Sequence, residues 1–182
     1  MRIRWDRFNI YLLLVIATGL ICGCHTAEGK RKKQLATLRL YQEANPDPMG
    51  RTEEVTVHRD PVVKLTINKA PFLTEALVKE AKVVDTVGGF ALSVQFNRQG
   101  SWLLEQYTAA GRGKHIALFS QFVNRGEDKL NAGRWLGAPK IATHITDGLL
   151  IFTPDATREE TEQIALGLNH VAKKVQSGEL QE

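Results

Sequence analysis

The sequence predicts an α+β fold, in which a mainly antiparallel β-sheet carries two longer helices packed on one face. Segments rich in Val, Ile and Thr recur between turn clusters, a pattern typical of strands. Gly88-Gly89 separates two of these segments and predicts a hairpin, because both positions can adopt positive φ. Thr157 and Glu160 form a capping box ahead of apolar residues at helical spacing, which predicts a C-terminal helix. This mixed order of strands and helices is typical of an α+β domain.

The same signals place each element along the chain. They predict strands over residues 35–43, 54–58, 62–68, 82–87, 90–96, 115–122 and 149–153. They predict a short helix over 74–81 with Thr74 as its N-cap, a helix over 99–110 ending at Gly111, and a helix from Thr157 to Val175. The helix over 99–110 is expected to bury one stripe of side chains, namely Trp102, Leu103, Gln106, Tyr107 and Ala110. Alternation along 90–96 predicts one core face and one face that is wetter or covered.

The first 24 residues have the features of a secretory signal. Arg2, Arg4 and Arg7 precede an apolar run over 10–21, and the run ends in the sequence ICGC at 21–24. A run of about twelve residues is too short to span a bilayer as a helix. The ending resembles a lipobox, which implies a signal peptide over 1–23, removed to leave a lipid on Cys24. An uncleaved anchor helix and an ordinary signal peptide are the alternatives.

This interpretation predicts a lipid-anchored protein of the bacterial cell envelope that faces the periplasm, with inner or outer membrane left open. A polar and basic tether over 24–34 would lead to a single domain over 35–176, followed by a tail over 177–182. Both cysteines lie in the signal region, so the mature domain has no thiol or disulfide and must be stabilised by its core. Apolar residues at 43% and charged residues at 24% fit a globular domain. The signal supplies part of the net charge of +4, so we expect no nucleic-acid partner.

Several short motifs follow one another in the second half of the chain. They are PFLT at 71–74, VQFNRQG at 94–100, GKHIAL at 113–118, APKI at 138–141, ITDG at 145–148 and FTPDAT at 152–157. Together, over residues 71–175, they resemble the head subdomain in the first periplasmic region of SecD, the accessory membrane subunit of the bacterial secretion translocase. The resemblance implies a SecD-head-like fold and contact with envelope proteins or exported chains. It includes no catalytic signature.

Residues 123–137 form a segment longer than its counterpart in that family. It contains Arg125, Arg134 and Trp135, and arginine and tryptophan are enriched at binding hot spots. We therefore take these three as candidate interaction residues. The alternative, that Trp135 folds back onto the core, stays open.

Motifs for catalysis or metal binding are weak in this sequence. The five histidines have no metal-ligand spacing, and no serine lies in a Gly-x-Ser-x-Gly elbow. The stretch from Gly111 to Lys114 lacks the spacing and the Ser or Thr of a phosphate-binding loop. We therefore expect no enzyme activity, cofactor or metal, and hypothesise a protein- or peptide-interaction module that is linked to protein export. The alternatives are a small-molecule-binding or hydrolytic domain with a cleft near 123–137, and a purely structural envelope lipoprotein.

Overall fold

A computed structural model describes residues 35–57, 62–123 and 133–178. The chain divides into two units, Met1–Lys32 and Lys33–Glu182, and every described residue belongs to the second. The predicted signal peptide, Cys24, the tether over 24–34 and Arg125 lie outside the described residues, as does most of the predicted tail.

The described residues form strands, two α-helices and one short 3-10 helix, which confirms the predicted α+β class. The strands are β1 (Ala36–Gln42), β2 (Thr52–Val57), β3 (Val63–Asn68), β4 (Leu73–Thr74), β5 (Val78–Thr86), β6 (Gly89–Phe96), β7 (Ile116–Phe122), β8 (Arg134–Gly137) and β9 (Leu149–Phe152). The helices are α1 (Arg98–Ala110) and α2 (Arg158–Gln176), and the 3-10 helix is Glu75–Leu77. The strands form three separate sheets, in the orders β4-β1-β7-β8, β2-β3 and β5-β6-β9.

The sheet β4-β1-β7-β8 separates two hydrophobic clusters. Alternate residues of β1 and β7, such as Leu38, Leu40 and Leu118, point into the main core with the inner face of β5-β6-β9 and with α2. The opposite face carries Tyr41 and Ala117, which pack against the β2-β3 hairpin in a second cluster. The hairpin is thus a third layer over the outer face of this sheet.

The predicted helix over 74–81 is wrong. Leu73 and Thr74 pair with β1, Glu75–Leu77 is a single 3-10 turn, and β5 begins at Val78. Thr74 makes no side-chain cap hydrogen bond. The Glu75 carboxylate instead accepts a hydrogen bond from Leu38 N–H at 3.2 Å. Pairing with β1 and β6 thus outweighs the helix propensity of Glu, Ala, Leu and Lys in this segment.

Helix α1 is placed as predicted, but its predicted buried stripe is only partly right, since Leu103 packs against the main core and Tyr107 stacks on Phe72. The buried residues are Gly100, Leu104 and Thr108, whereas Trp102 is 57% exposed. A Cβ on Gly100 would lie 2.9 Å from Phe96 Cβ, so the small residue lets the helix approach β6 closely. Gly111 is the C-cap, as predicted.

Helix α2 has the predicted capping box, in which Thr157 and Glu160 exchange hydrogen bonds with each other's backbone N–H. It buries Ile164, Leu168 and Val171, which confirms the predicted spacing. A Cβ on Gly167 would lie only 2.7 Å from Ala36 N, so the helix crosses the start of β1 in close contact.

The hairpin between β5 and β6 is also present as predicted, with a difference at its turn. Thr86 pairs with Gly89, so the two turn residues are Val87 and Gly88. Gly88 has φ +88°, while no non-glycine residue in the described part has positive φ. Only the second turn position therefore needs a glycine.

Candidate functional site

The structure places Arg134 and Trp135 in β8, where both side chains contact the rest of the domain. Trp135 is half-buried and lies edge-on to Tyr41 and Phe119, with ring centroids 5.4 and 5.2 Å away. It belongs to the second cluster, under the β2-β3 hairpin. This arrangement matches the alternative in which Trp135 folds back onto hydrophobic residues. Arg125 lies outside the described residues and stays a prediction.

Arg134 joins β8 to the start of α2. Its Nη2 donates to Glu160 Oε2 at 2.6 Å, and its guanidinium lies 5.6 Å from the centre of the Phe122 ring. The same Glu160 oxygen accepts a hydrogen bond from Thr157 N–H at 2.8 Å. Arg134 therefore reinforces the capping box. These contacts leave the Arg134 guanidinium less available to a partner.

Acidification is expected to weaken this connection. Burial raises the pKa of Glu160, but hydrogen bonds from Thr157 and Arg134 outweigh burial and hold the pKa below its usual value. A carboxyl with a lowered folded-state pKa stabilises the protein above its unfolded-state pKa, and this stabilisation disappears as pH falls through the folded-state pKa. In urea titrations between about pH 5 and 3, Glu160→Gln should therefore lose less stability on acidification than the wild type.

The control for this prediction is Glu162→Gln, at an exposed position of the same helix. The pKa values of Glu43 and Asp47 are also lowered in the folded protein, and both carboxyls are kept in both variants. An unchanged pH dependence in Glu160→Gln would contradict a stabilising role for the ionised carboxylate.

The outer face of the sheet β5-β6-β9 is open and holds a shallow groove of about 350 Å³. Buried Ser93 lies among the lining residues, and Ile151 is 51% exposed beside it. The groove is lined by Glu80, Lys82, Val84, Ser93, Gln95, Leu149 and Ile151. Apolar side chains thus alternate with one acidic and one basic group on an accessible surface.

The two edges of this sheet differ. At the β5 edge, the Asn169 side chain accepts from Ala81 N–H at 2.8 Å and donates to Ala81 C=O at 2.7 Å. This amide occupies the backbone positions that another strand would use. The β5 edge is therefore closed at Ala81 by α2.

The β9 edge is not closed in this way. Phe96 N–H donates to Gly148 C=O at 3.0 Å, so these two opposed residues form a hydrogen-bonded pair. Hydrogen-bonded and non-hydrogen-bonded pairs alternate along an antiparallel ladder, which makes Leu149 and Ile151 members of non-hydrogen-bonded pairs. The backbone groups of Leu149 and Ile151 consequently point away from β6. Leu149 N–H donates to the Asp147 carboxylate at 3.0 Å, whereas the N–H and C=O of Ile151 have no such bond within the described residues. Ile151 therefore offers both an exposed side chain and free backbone groups.

The start of β9 is held firmly beside α1. Gly148 has φ +68°, and a Cβ at this position would lie 1.9 Å from Ser101 Oγ. The Gln95 amide donates to Asp147 C=O at 2.9 Å. These contacts fix the position of the start of β9.

A second cleft, of about 210 Å³, is lined by Thr108, Ala109, Arg112, Thr143 and His144. Neither cleft is lined by residues 133–137 or by a carboxyl with a shifted pKa. Within the described ranges, no group of three or more His, Cys, Asp and Glu could hold a metal ion. No helix of the same ranges has the length and apolar character needed to cross a bilayer.

The sequence contains one signal for the open face. Alternation along 90–96 separates a core face from a face with Ala91, Ser93 and Gln95. Whether that second face is covered depends on where the helices pack, which local alternation does not specify. The free edge of β9 depends in the same way on strand order.

Comparisons with known proteins identify the fold. No protein-family model and no curated protein matches the chain. A solved structure of SecDF, described as a membrane component that enhances protein export, matches with a TM-score of 0.54 and 24% identity, over 82% of this chain and 71% of that one. SecDF in a super-membrane-facing form matches with a TM-score of 0.52 and 24% identity, over 81% of this chain. The chain spans only 21% of that second structure. These matches confirm the predicted SecD-like fold.

Proposed function

We propose that this protein is a lipid-anchored component of the bacterial envelope whose SecD-like domain binds extended peptide segments in a role linked to protein export. The observation that carries the proposal is the free β9 edge at Ile151, beside the open face of its sheet. The likeness to SecDF, described as enhancing protein export, supports the link to export. The partner would be an envelope protein or an exported chain in the periplasm.

The chemistry of the edge fits an extended peptide. A peptide strand added to a sheet edge forms main-chain hydrogen bonds, which do not depend on sequence, while neighbouring pockets receive alternate side chains. Ile151 would supply the N–H and C=O, and alternate apolar side chains of the peptide would pack beside the exposed Ile151 side chain and Leu149, at the β9 side of the groove. Such a site accepts many sequences, as a protein that meets varied exported chains requires.

The decisive substitution is Ile151→Lys. A lysine on an edge strand disfavours pairing with another strand, and here it also removes an apolar contact. The probe is a neutral, fluorescein-labelled peptide of alternating apolar residues. We expect its dissociation constant to rise at least about tenfold, which corresponds to a loss of about 1.4 kcal/mol in binding free energy. Fluorescence anisotropy with the full-length protein in a neutral detergent would measure the change.

Met49→Lys is the matched control, because Met49 is 79% exposed and lies in the turn between β1 and β2. It introduces the same charge on another surface and should bind the peptide like the wild type. Both variants should keep the wild-type melting temperature, since both positions are exposed. Equal peptide affinity in Ile151→Lys and the wild type would refute binding at the β9 edge.

The lipid anchor is tested separately with Cys24→Ser. If Cys24 carries the lipid, this variant should keep its signal peptide or leave the membrane fraction. Mass spectrometry and membrane fractionation would detect either result. Cys22→Ser is the control, because Cys22 would be removed with the signal and its loss should change neither measurement. Wild-type mass and fractionation in Cys24→Ser would contradict the anchor.

A further inference from the structure

Basic side chains gather at the end of the domain where α1 stops. Two come from the turn after α1 and two from the segment between β8 and β9; they are Arg112, Lys114, Lys140 and His144. The two segments are joined by backbone hydrogen bonds, from Gly113 N–H to Ile141 C=O at 2.9 Å and from Ile141 N–H to Lys114 C=O at 2.8 Å. Basic residues that are distant in sequence therefore occupy neighbouring backbone positions, and we call these four residues the basic cluster.

The basic cluster is not neutralised by the part of the domain that the structure describes. Its three permanent cations are exposed and form no ion pair within residues 35–57, 62–123 and 133–178. Glu43 lies close enough to Lys114 to interact with its charge. The Glu43 carboxylate, however, already accepts a hydrogen bond from His115 N–H at 2.7 Å and lies 2.8 Å from the His115 ring.

The cleft of about 210 Å³ described above lies beside this cluster, and two of its members, Arg112 and His144, line it. Its base is fixed by the buried Thr108 hydroxyl, which donates to Leu104 C=O at 2.7 Å and accepts from Ile145 N–H at 2.9 Å. The base of the cleft is therefore held in place by hydrogen bonds of the fold itself. Its volume is several times the roughly 30 Å³ of a water molecule, which suits one compact group better than a length of polypeptide.

We propose that this cleft binds a phosphate group. Arg112, which lines the cleft, can form two parallel hydrogen bonds to phosphate oxygens, and Lys114, two residues further along the same turn, adds positive charge nearby. The Thr143 hydroxyl in the lining adds a further donor. The group is either the headgroup phosphate of an anionic phospholipid or a free phosphate.

The helix dipole does not account for the cluster by itself. The carbonyl end of α1 favours nearby cations, which would explain Arg112 and Lys114. Lys140 and His144 belong to another segment that the fold brings to the same place. The carbonyl end of α1 does not itself attract an anion, so the charged side chains must supply the attraction that backbone N–H groups at a helix start supply in a phosphate-binding loop.

The test uses the full-length protein in neutral detergent micelles, with NMR signals of His144 and Thr143 as the readout. Inorganic phosphate is titrated at constant ionic strength, and phosphatidylglycerol is added to the micelles in a parallel series. Saturable shifts in both series support a site that recognises phosphate alone. Shifts only with phosphatidylglycerol support the same site with a lipid headgroup as the source.

Arg112→Gln should raise the apparent dissociation constant from these titrations about fivefold or more, which is the approximate effect of one charge near an anionic surface. Lys64→Gln, at an exposed position of β3, is the control for the loss of one positive charge. The proposal is overturned if neither titration produces a saturable shift, or if Lys64→Gln weakens the response as much as Arg112→Gln. The peptide site on the outer face of β5-β6-β9 is a different surface, so either result leaves the Ile151 test intact.

Discussion

Replacing Phe96 with alanine is expected to lower the free energy of unfolding by about 3–5 kcal/mol, the range for removing a buried phenylalanine. Phe96 is 2% exposed and lies at the end of β6, directly before the N-cap of α1. Its side chain belongs to the main core, and its backbone is bonded to Gly148. The cavity left by alanine would therefore lie where β6, α1 and the start of β9 meet, and the rigid backbone there limits collapse into it.

Urea denaturation followed by circular dichroism would measure this loss. Phe90→Ala is the matched control, because Phe90 lies on the same strand but is only half-buried. Its ring contacts the Arg158 guanidinium at 5.6 Å from the ring centre, so its removal should cost clearly less than the removal of Phe96. If the two variants lost equal stability, the assignment of Phe96 to the centre of the core would be wrong.

Gly167→Ala is expected to destabilise the protein by about 1–3 kcal/mol, the usual cost of overfilling a packed contact. In an ordinary helix interior the same change would stabilise by up to about 1 kcal/mol, because alanine has the higher helix propensity. At this position the new Cβ would lie 2.7 Å from Ala36 N and 2.8 Å from the Leu35 carbonyl carbon. Backbone atoms cannot rotate away, so α2 would have to move off β1.

A pair of substitutions at Glu162, an exposed position of α2, calibrates the propensity effect in the same helix. Glu162→Ala should be more stable than Glu162→Gly by up to about 1 kcal/mol, because only helix propensity separates alanine from glycine at a site without packing contacts. Thermal melts of these variants and of Gly167→Ala would then separate packing from propensity. A higher melting temperature in Gly167→Ala than in the wild type would contradict the close helix–strand contact.

The local signals in the sequence predicted the elements whose residues also pack as the pattern indicates. The capping box of Thr157 and Glu160 satisfies backbone groups within the helix itself, so it needs no knowledge of the remaining fold. The β5-β6 hairpin likewise depends on a short turn with Gly88 at positive φ. The SecD-like fold could be recognised because the motifs along 71–175 include such turn and packing residues.

Other features depend on long-range pairing and could not be read locally. Residues 74–81 have good helix formers, yet β1 and β6 provide backbone partners that a local helix would have to give up. In α1, the predicted stripe omits the buried side, because the apolar pattern does not mark Gly100 and Thr108 as core residues. Small residues become the buried face when a helix approaches a strand closely, and Phe96 provides that approach here.

Long-range packing also explains why the structure favours other residues for the candidate site than the sequence does. Arg134 and Trp135 have the composition of a hot spot, but Glu160, Tyr41 and Phe119 contact them within the domain. The sequence does not predict Ile151 as a site residue, since an isoleucine in a strand is ordinarily a core residue. It is exposed because β9 is the last strand of its sheet, and none of the described helices and strands covers the outer face at this position.

The position of β1 has a mechanical consequence. β1 lies between β4 and β7, is aligned with β7 over its full length from Ala36 to Gln42, and is crossed at its start by α2. A force that pulls on the chain ahead of Ala36, along the strand axis, would load all the hydrogen bonds between β1 and β7 in shear at the same time. A strand pair that is loaded in shear resists force far better than one whose hydrogen bonds break one after another. In the proposed function, a pull between the anchor and a chain bound at the β5-β6-β9 sheet would load β1 in this shearing direction.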